Sequence, residues 1–476
     1  MKLIPTSHRS SKRLRTVLRE ILSNESGWGA FLAGVVPPIL RMGGFIPGIG
    51  GTCLAWEGRI YALRGNHDAA TRAFQMAFKR GKSKDATLHY DLGCSFLQMR
   101  LPKLAEQEFR IALQLKPSAT WWAHGLVRSL LDQELAHRVI PELISLARSL
   151  PAPQADHVPF PVFLSHLVAK SPEQMDALQA FLEECPASYD ATLLLARAKS
   201  DASDAASAIQ LFRAARKLRV SEQPDPSASP AKPRFLIIGQ TKAGTTSLFK
   251  YLASHPRMAP PLFKETHFFS MHYELGWQWY QSLFPTLPPQ TDWFTGEATP
   301  TYLMHSLTPR RVASDLPAVR LIVILRDPVA RAYSDYAMHR RIEGQDLPFE
   351  ELVERDMGIV SECPIEDDQG PSEAISPYLR RSIVLPSLKR WLSHFPPEQL
   401  LIIRSEHLAS DLQRTMDRVC LFLDVPKFVL SNRMRYNEGR YPPIPEQLRD
   451  RLSAWFQPHQ QALEAFLNQH PGFSAR

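Results

Sequence analysis

Cysteine is scarce in this chain, and the cysteines that are present are scattered. There are five in 476 residues, none in a CxxC pair, at Cys53, Cys94, Cys185, Cys363 and Cys420. An odd and sparse set argues against a disulfide framework and for a reducing compartment, so we expect a cytoplasmic protein. The sequence also has no cluster of histidine, cysteine and carboxylate side chains at metal-ligand spacing, which predicts that no metal is bound.

Long apolar runs are also missing. The most apolar stretch, residues 28–55, is interrupted by three prolines and seven glycines, whereas a membrane span needs about 20 continuous apolar residues. The stretch begins too late for a signal peptide and lacks a small-residue cleavage site. Residues 1–20 hold six basic residues and one glutamate. Two interpretations of the apolar stretch 28–55 therefore stay open: a packed or loop part of the fold, and a peripheral membrane contact. With the second interpretation, the basic segment 1–50 is peripheral at the inner face of a membrane.

Negative charge is in deficit. The net charge is +8 and the sequence pI is near 9.2, which suits anionic ligands such as nucleotides, phosphates, acidic glycans or a lipid surface. RNP aromatics, zinc-finger spacing and a basic-aromatic stripe are absent, so we expect no nucleic acid partner. Hydrophobic residues make up 44% and charged residues 22% of the chain, as in soluble globular proteins, and the length predicts two or three domains.

The N-terminal half contains an internal repeat of 35 residues, in which small and aromatic positions recur. The recurring pairs are Gly58 and Gly93, Tyr61 and Phe96, Ala70 and Ala105, Phe74 and Phe109, and Ala77 and Ala112. A third copy of the second-helix pattern lies at Ala208, Phe212 and Ala215. The pattern resembles tetratricopeptide repeats. It predicts an all-α solenoid over residues 51–220 that binds a protein partner; an irregular helical bundle is the alternative.

The composition changes after this region. Residues 221–233, SEQPDPSASPAKP, hold four prolines and are typical of a semi-rigid linker. Beyond them, the short β-branched runs 234–239, 319–325 and 399–404 alternate with helical patterns. Continuous apolar runs of this kind belong to a parallel sheet covered by helices. We therefore predict an α/β domain over 234–476, and we expect residues 222–476 to fold without the repeats.

The stretch FLIIGQTKAGTTSLFKYL (235–252) predicts a strand, a loop and a helix N-terminus, which together form a cradle for an anion. Gly239 and Gly244 have the spacing of a nucleotide-triphosphate loop. The residue after the second glycine is Thr245 instead of lysine, and the nearest lysine is Lys242. Because that lysine normally reaches the terminal phosphates, the loop is either a degraded ATPase loop or a loop for a different phosphate donor.

A second motif, LIVILRDPVARAYSDYAMHRR (321–341), predicts another strand followed by a helix. Arg326 stands at the end of that strand, and Ser334 lies eight residues further on, about two turns into the helix. An arginine at a strand end and a serine on the next helix can converge on one phosphate. The alternative is a salt-bridged surface helix that follows a strand.

Together these motifs resemble those of sulfotransferases, which use 3′-phosphoadenylyl sulfate and release adenosine 3′,5′-bisphosphate without a metal. The resemblance covers 234–476 and implies a P-loop-like α/β sulfotransferase domain after the repeats. It implies that the 5′-phosphosulfate is bound by Lys242, Ala243, Gly244, Thr245, Thr246 and Ser247. It also assigns the 3′-phosphate to Arg326 and Ser334, and a loop over the nucleotide to Gly439 and Arg440 in YNEGRYPPIP.

The segment FKETHFF (263–269) narrows the resemblance to heparan sulfate N- and 3-O-sulfotransferases. It implies Glu265 as the base, with His267 as the alternative base or an acceptor-binding residue, and a glycan or glycolipid as acceptor. That family has a lysine where Ala298 stands and a disulfide-closed loop before the Gly-Arg motif. This sequence has neither, and both features concern acceptor binding, so heparan itself is not implied as the acceptor. The missing disulfide also makes the pattern resemble a bacterial member of the family. Two other functions stay open: a P-loop ATPase or kinase with a helical adaptor, and a non-catalytic repeat scaffold.

Overall fold

The structure is a computed structural model. It describes residues 50–151, 154–219, 228–289, 291–342, 347–362, 378–434, 436 and 441–469. The chain divides into two compact units between Ala202 and Ser203. Nearly all of the segment 1–50, most of the linker 221–233, and both Gly439 and Arg440 lie outside the described residues. In the part that is described, no helix has both the length and the apolar character that crossing a membrane requires.

The first unit is helical throughout its described regular elements. Its helices are α1 (Gly50–Leu63), α2 (His67–Ala77), α3 (Ala86–Gln98), α4 (Pro102–Leu115), α5 (Ala123–Leu131), α6 (Ala136–Arg148), α7 (Ser165–Ala169), α8 (Pro172–Glu184) and α9 (Tyr189–Asp201). Local sequence sets several of these starts. The Asn66 side chain accepts a hydrogen bond from the Ala69 N–H, and the Asp85 side chain accepts one from the Thr87 N–H, which satisfies N–H groups that a first turn leaves unpaired.

Two of the repeated glycines lie where helices approach closely. A Cβ at Gly58 would meet the Phe74 ring at 2.4 Å, and a Cβ at Gly93 would meet the Phe109 ring at 2.8 Å. The same contact therefore recurs 35 residues apart, between α1 and α2 and between α3 and α4. The all-helical region is present as predicted, and its tetratricopeptide-like character stays a prediction.

The second unit contains a parallel sheet. Its strands are β1 (Ser229–Pro230), β2 (Phe235–Gly239), β3 (Thr286–Leu287), β4 (Gly296–Ala298), β5 (Arg320–Leu325) and β6 (Leu400–Arg404). β1 and β3 form a small antiparallel pair, and the other four form a parallel sheet in the order β4-β2-β5-β6. In register, Phe235 lies between Gly296 and Arg320, and Leu321 lies beside Leu400. The predicted parallel α/β architecture is confirmed.

Helices and the sheet share the core of this unit. The helices are α10 (Ala205–Arg219), α11 (Thr245–Leu252), α12 (Trp277–Ser282), α13 (Thr308–Asp315), α14 (Pro328–Ile342), α15 (Phe349–Glu362), α16 (Leu385–Leu392), α17 (Ser405–Ser410), α18 (Leu412–Leu423) and α19 (Glu446–Gln469). Leu248 of α11 and Met416 of α18 are buried in one cluster with the strand residues Ile237, Ile322 and Ile403. The β-branched strand residues thus supply the apolar surface against which these helices pack.

Helix α10 packs within the second unit. Its Ala208, Phe212 and Ala215, which the sequence assigns to a third repeat, are fully buried. The Phe212 ring lies 5.7 Å from the Phe263 ring and 6.0 Å from the Trp279 ring, measured between centroids. This helix therefore covers aromatic residues of the α/β unit.

The strand order determines where a ligand is expected to bind. Along the chain, β2 is followed by β4 on one side of it and then by β5 on the other side. The order reverses at β2, and ligands of open α/β sheets bind at such a reversal, beyond the carboxyl ends of the strands. The segment that leaves the carboxyl end of β2 is the Gly239–Gly244 loop.

Candidate functional site

The loop after β2 has a backbone conformation that turns it into the start of α11. Gly244, at the N-cap of α11, has a φ of 102°, in the left-handed region that favours glycine. Lys242 also has a positive φ, of 69°, and the Ala243 N–H donates to the Gln240 carbonyl at 3.1 Å. The first-turn N–H groups of α11 consequently lie at the carboxyl edge of the sheet, where a helix N-terminus attracts an anion.

Arg326 ties this loop to the end of β5. Its Nη1 donates a hydrogen bond of 2.7 Å to the Lys242 carbonyl. The Gln240 N–H donates to the Ile324 carbonyl at 3.0 Å, and Gln240 Nε2 donates to the Arg381 carbonyl at 2.9 Å. The two motifs that the sequence places at separate strand ends therefore meet through direct contacts.

Helix α14 presents its Ser334 side to the same loop. The Lys242 Nζ lies 3.3 Å from the Sδ of Met338. Met338 is four residues after Ser334, so the two share one face of the helix, and Ser334 is 8% exposed. The structure thus brings Lys242, Arg326 and the Ser334 face of α14 to one place.

The hydroxyl groups of the α11 first turn differ in their surroundings. Thr245 is buried and Thr246 is half-buried. Ser247 Oγ accepts from the Tyr436 N–H at 3.2 Å and donates to the Tyr436 carbonyl at 3.3 Å. In this structure the Ser247 hydroxyl holds the chain just before Gly439 and Arg440, which lie outside the described residues. Sequence reasoning gave no signal for this contact.

The segment that carries Glu265 docks at the carboxyl end of β4. The Ala298 N–H donates to the Lys264 carbonyl at 3.1 Å. Because β4 lies beside β2 in the parallel sheet, this segment and the Gly239–Gly244 loop lie at the same edge.

Glu265 is held between two basic side chains. Its Oε1 forms an ion pair with the Lys264 ammonium, and its Oε2 lies 3.6 Å from His267 Nε2. Burial acts to raise the pKa of Glu265, but the hydrogen bond from His267 and the charge of Lys264 outweigh it and lower the pKa to about 2. The carboxylate is therefore ionised at neutral pH, and 40% of the side chain is exposed.

His267 has a backbone conformation that is rare for its residue type. Its φ is 54°, in the left-handed region, which costs energy for a residue other than glycine. Its N–H donates to Thr299 Oγ1 at 3.5 Å, and its Nδ1 lies 3.5 Å from Thr301 Oγ1. Residues that follow β4 therefore support both the backbone and the ring of His267.

Asp327, which directly follows Arg326, has a structural role. Asp327 Oδ1 accepts a hydrogen bond of 2.8 Å from the Ala330 N–H, which caps the start of α14. Across the described ranges, no group of three histidine, cysteine or carboxylate residues is placed to hold a metal ion. The site thus combines fixed positive charge, helix N–H groups and one ionised carboxylate.

Sequence reasoning missed two polar residues at this edge. The sequence pattern assigns no role to Gln240, yet this residue joins the loop to Ile324 and Arg381. Glu297, in GEATP, is fully buried behind Thr266. An acid within a short strand was the available signal for Glu297, but its burial depends on side chains that come from elsewhere in the chain.

Known proteins resemble the second unit. The sulfotransferase domain family model matches residues 232–440. Heparan sulfate glucosamine 3-O-sulfotransferase 6 of Mus musculus is 30% identical over 253 residues, which cover 48% of this chain and 69% of that protein. Heparan sulfate glucosamine 3-O-sulfotransferase 3B1 of Homo sapiens is 33% identical over 218 residues, 45% of this chain and 52% of that protein.

A longer relative and a solved structure each match about half of this chain. The bifunctional heparan sulfate N-deacetylase/N-sulfotransferase 3 of Homo sapiens is 32% identical over 270 residues, 50% of this chain. The match spans 30% of the length of that protein. The crystal structure of a sulfotransferase from Alicyclobacillus acidocaldarius is 27% identical with a TM-score of 0.42, and covers 50% of this chain and 96% of that one.

Proposed function

Because this chain belongs to the sulfotransferase family, we propose that it transfers a sulfuryl group from 3′-phosphoadenylyl sulfate to an acceptor hydroxyl or amino group. The observation that carries the proposal is the hydrogen bond from Arg326 to the Lys242 carbonyl. This hydrogen bond joins the Gly239–Gly244 loop, where the strand order reverses, to the motif that carries Arg326 and is assigned to the 3′-phosphate. A donor with phosphate groups at both its 3′ and 5′ positions fits such a paired site.

The proposed roles of the donor-binding residues follow from their chemistry. As the bond between sulfur and the bridging oxygen breaks, negative charge grows on that oxygen, and Lys242 stabilises it. The N–H groups of Gly244, Thr245 and Thr246 hold the 5′-phosphosulfate at the start of α11. Ala243, whose N–H donates to the Gln240 carbonyl, shapes the loop beside the phosphosulfate. Arg326 and Ser334 hold the 3′-phosphate, and Gly439 and Arg440 form the loop over the nucleotide. Ser247 belongs to the phosphosulfate site, and its hydrogen bonds to Tyr436 also support that loop. No metal has a role in this proposal.

Transfer is an in-line displacement on sulfur. The acceptor oxygen or nitrogen forms the new bond to sulfur, and adenosine 3′,5′-bisphosphate leaves with the bridging oxygen. Glu265 takes the acceptor proton, a role typically worth about 10²–10⁴ in rate. His267 orients Glu265 and the acceptor, and it is the alternative base.

The low pKa of Glu265 limits this role in the unliganded site. A carboxylate with a pKa of about 2 is free of its proton but is a weak base, since an efficient base titrates near the working pH. We propose that Lys264 turns to the donor sulfonate when substrates are bound. The carboxylate then loses an ion-pair partner, and its pKa rises when it must accept a proton.

For the acceptor we propose a carbohydrate, polysaccharide or glycolipid. The relatives are described as heparan sulfate sulfotransferases. This sequence has Ala298 where the family resemblance implies a lysine, so we do not extend the proposal to heparan sulfate. We further propose that the first unit is a tetratricopeptide-like solenoid that recruits a protein partner or the acceptor, in the cytoplasm or at the inner membrane face. A concave repeat surface suits an extended partner.

Two experiments test the proposal. Titration calorimetry is expected to detect binding of adenosine 3′,5′-bisphosphate without added metal. If the protein bound ATP in the presence of Mg²⁺ but did not bind adenosine 3′,5′-bisphosphate, that result would contradict the proposal. Transfer of radiolabelled sulfate from the donor to a panel of glycans, glycolipids and peptides then identifies the acceptor class, and the absence of transfer to every member would argue against the proposed acceptors.

A further inference from the structure

Glu297 is a buried carboxylate that the proposed chemistry does not use. It lies at the centre of β4 and is 0% exposed. Its Oε1 accepts hydrogen bonds from the hydroxyls of Tyr280 at 2.8 Å and Tyr302 at 3.2 Å. Its Oε2 accepts from the hydroxyls of Thr299 at 2.6 Å and Thr266 at 2.8 Å. The four hydroxyl partners stabilise a charge that burial opposes.

The connection to the site runs through Thr266, which stands between Glu265 and His267 in the chain. Thr266 is 0% exposed. Its N–H lies 3.4 Å from Glu297 Oε2 and 3.2 Å from Thr299 Oγ1. The Glu297 carboxylate therefore holds both the backbone and the side chain of Thr266, and with them the adjoining residues Glu265 and His267.

His267 has a backbone conformation that needs support from its surroundings. Its left-handed φ of 54° persists only where the surroundings outweigh its cost. The Thr299 hydroxyl that donates to Glu297 also accepts from the His267 N–H at 3.5 Å. Glu297 thereby orients a hydroxyl that supports the strained residue.

We propose that Glu297 is a positioning residue, which acts through Thr266 to hold Glu265 and His267 in the geometry that proton removal from the acceptor needs. The proposal rests on the proposed function for its catalytic consequence. The alternative is that Glu297 contributes to stability alone. Burial raises the pKa of Glu297 while hydrogen bonds from Thr299, Tyr280 and Thr266 oppose the rise. A buried ionisable group is weak support for a purely stabilising role, because a well-packed apolar group often stabilises a core as well.

Four variants of the full chain separate these roles. Glu297→Gln replaces an oxygen that accepts from hydroxyls by an NH₂ donor. Thr266→Val removes the hydroxyl through which Glu297 acts, and Thr266→Ser retains it as the conservative control. Tyr280→Phe removes a hydroxyl from the other carboxylate oxygen and serves as the control for a loss of network stability.

The expected kinetic result is a loss of kcat. Glu297→Gln and Thr266→Val each lower kcat by about 10², since small displacements of a reacting group have effects of this size. Affinity for adenosine 3′,5′-bisphosphate, measured by calorimetry, stays unchanged. The double variant is no slower than either single variant, because both changes break one connection. Thr266→Ser and Tyr280→Phe keep the kcat of the parent chain.

A second measurement does not depend on activity. The ring protons of His267 are followed by NMR at one fixed pH, with the resonances assigned by their loss in His267→Asn. Glu297→Gln and Thr266→Val are expected to shift the ring resonances of His267, because the ring changes position, and Tyr280→Phe is expected to leave them unchanged. If no acceptor is sulfated, the proposed function fails, while the ring resonances of His267 still test the positioning role.

Several results would overturn the positioning role. One is the absence of any shift in the His267 ring resonances in both Glu297→Gln and Thr266→Val. Another is an equal shift in Tyr280→Phe, which would mark a general effect of network stability. If Glu297→Gln does not fold, Thr266→Val carries the test, and a kcat for Thr266→Val equal to that of Thr266→Ser would contradict the proposal.

Discussion

The guanidinium of Arg326 donates a 2.7 Å hydrogen bond to the main-chain carbonyl of Lys242. The contact joins residues 84 positions apart and connects the ends of two neighbouring strands. A guanidinium has five N–H donors in a fixed fork. One donor can therefore hold the loop while others bind an anionic oxygen, so Arg326 is suited both to shape the loop and to bind the proposed 3′-phosphate.

Replacing Arg326 by lysine is expected to weaken donor binding. A lysine ammonium is a compact point charge and cannot reproduce the fork geometry. Loss of one hydrogen bond to a charged group costs about 1.5–3 kcal/mol, which corresponds to an increase of about tenfold to 10² in Kd. Calorimetry with adenosine 3′,5′-bisphosphate measures the change. The exposed Arg310 supplies the control, because Arg310→Lys alters the same residue type away from the loop. An unchanged Kd in Arg326→Lys would count against both roles.

The pH dependence of kcat/KM distinguishes the two candidate bases. A base acts in its unprotonated form, and the acid limb of kcat/KM reports its pKa in the free enzyme. The pKa of Glu265 is lowered to about 2, so with Glu265 as base the rate should stay level as the pH falls below neutrality. With His267 as base, the rate should instead fall on the acid side, because a protonated imidazole cannot accept the proton. An acid-side decline in the parent chain that disappears in His267→Asn would transfer the role to His267.

Removal of the Lys264 charge is expected to move the acid limb of kcat/KM to higher pH. The Lys264 charge helps to lower the pKa of Glu265, so Lys264→Met raises this pKa toward its ordinary value of 4.5. The acid limb of kcat/KM then appears at a higher pH than in the parent chain. The exposed Lys389 provides the control variant Lys389→Met, whose profile should match the parent. Superimposable profiles for Lys264→Met and the parent would show that Lys264 does not control the base.

Lys242→Ala and Glu265→Gln are expected to fail in different ways. Glu265 acts on the acceptor, so Glu265→Gln should keep its affinity for adenosine 3′,5′-bisphosphate and lose turnover. Lys242 contacts the donor in the proposed mechanism, so Lys242→Ala should lose turnover and also bind the nucleotide more weakly. Calorimetry and single-turnover sulfate transfer separate the two effects. Full activity in Glu265→Gln would assign the base role to another residue.

Local pattern was sufficient for one part of the site. Lys242 and Arg326 each follow an apolar strand, and the carboxyl ends of parallel strands share an edge, so their proximity follows from the sequence. The contact of Ser247 with Tyr436 joins residues 189 positions apart, and no local rule brings them together. The burial of Glu297 likewise depends on Tyr280, whose place in the fold the sequence does not reveal.

Periodicity also has a limit in the helical part. Phe212 has the spacing of a repeat position, and its helix is present. Spacing predicts that a residue is buried but not which surface buries it, because an apolar face is satisfied by any well-packed partner. Here the partners are Phe263 and Trp279 of the α/β unit.

A histidine in the first unit is expected to make stability depend on pH. His89 Nδ1 lies 2.5 Å from Glu108 Oε2, and its Nε2 lies 2.9 Å from the Ser83 carbonyl. Both ring nitrogens face acceptors, which favours the doubly protonated ring. Burial acts to lower the pKa of His89, but the hydrogen bonds to Glu108 and the Ser83 carbonyl and the charges of Glu108 and Asp85 outweigh it and raise the pKa above 6.5.

Because the folded state has the higher pKa, this stabilisation is complete below the unfolded value and is lost as pH rises through the folded value. Calorimetric unfolding of the full chain between about pH 6 and about pH 9 spans this window. The Tm of the first unit should fall with pH more steeply in the parent chain than in His89→Gln. The exposed His137 gives the control His137→Gln, which should follow the parent. Parallel curves for His89→Gln and the parent would contradict the prediction.

The final prediction concerns the start of the catalytic part, which the sequence places at the linker. Phe212 is fully buried against Phe263 and Trp279, and Arg216 Nη2 donates to the Leu283 carbonyl at 2.6 Å. Phe263 immediately precedes the Lys264–Glu265 pair. A chain of residues 203–476 should therefore fold and bind adenosine 3′,5′-bisphosphate, whereas residues 222–476 should lose solubility or unfold at a lower temperature because these aromatic surfaces are uncovered.

A point variant tests the same contact without truncation. Phe212→Ala in residues 203–476 should cost about 3–5 kcal/mol, the usual loss for a buried phenylalanine. Leu218→Ala is the matched control, since Leu218 lies on the same helix and is 42% exposed. Calorimetric Tm and nucleotide Kd are measured for both chains and both variants. If residues 222–476 matched residues 203–476 in Tm and Kd, helix 205–219 would not belong to the catalytic unit. A lower Tm in Phe212→Ala, with Leu218→Ala unchanged, would place the start of that unit near Ser203.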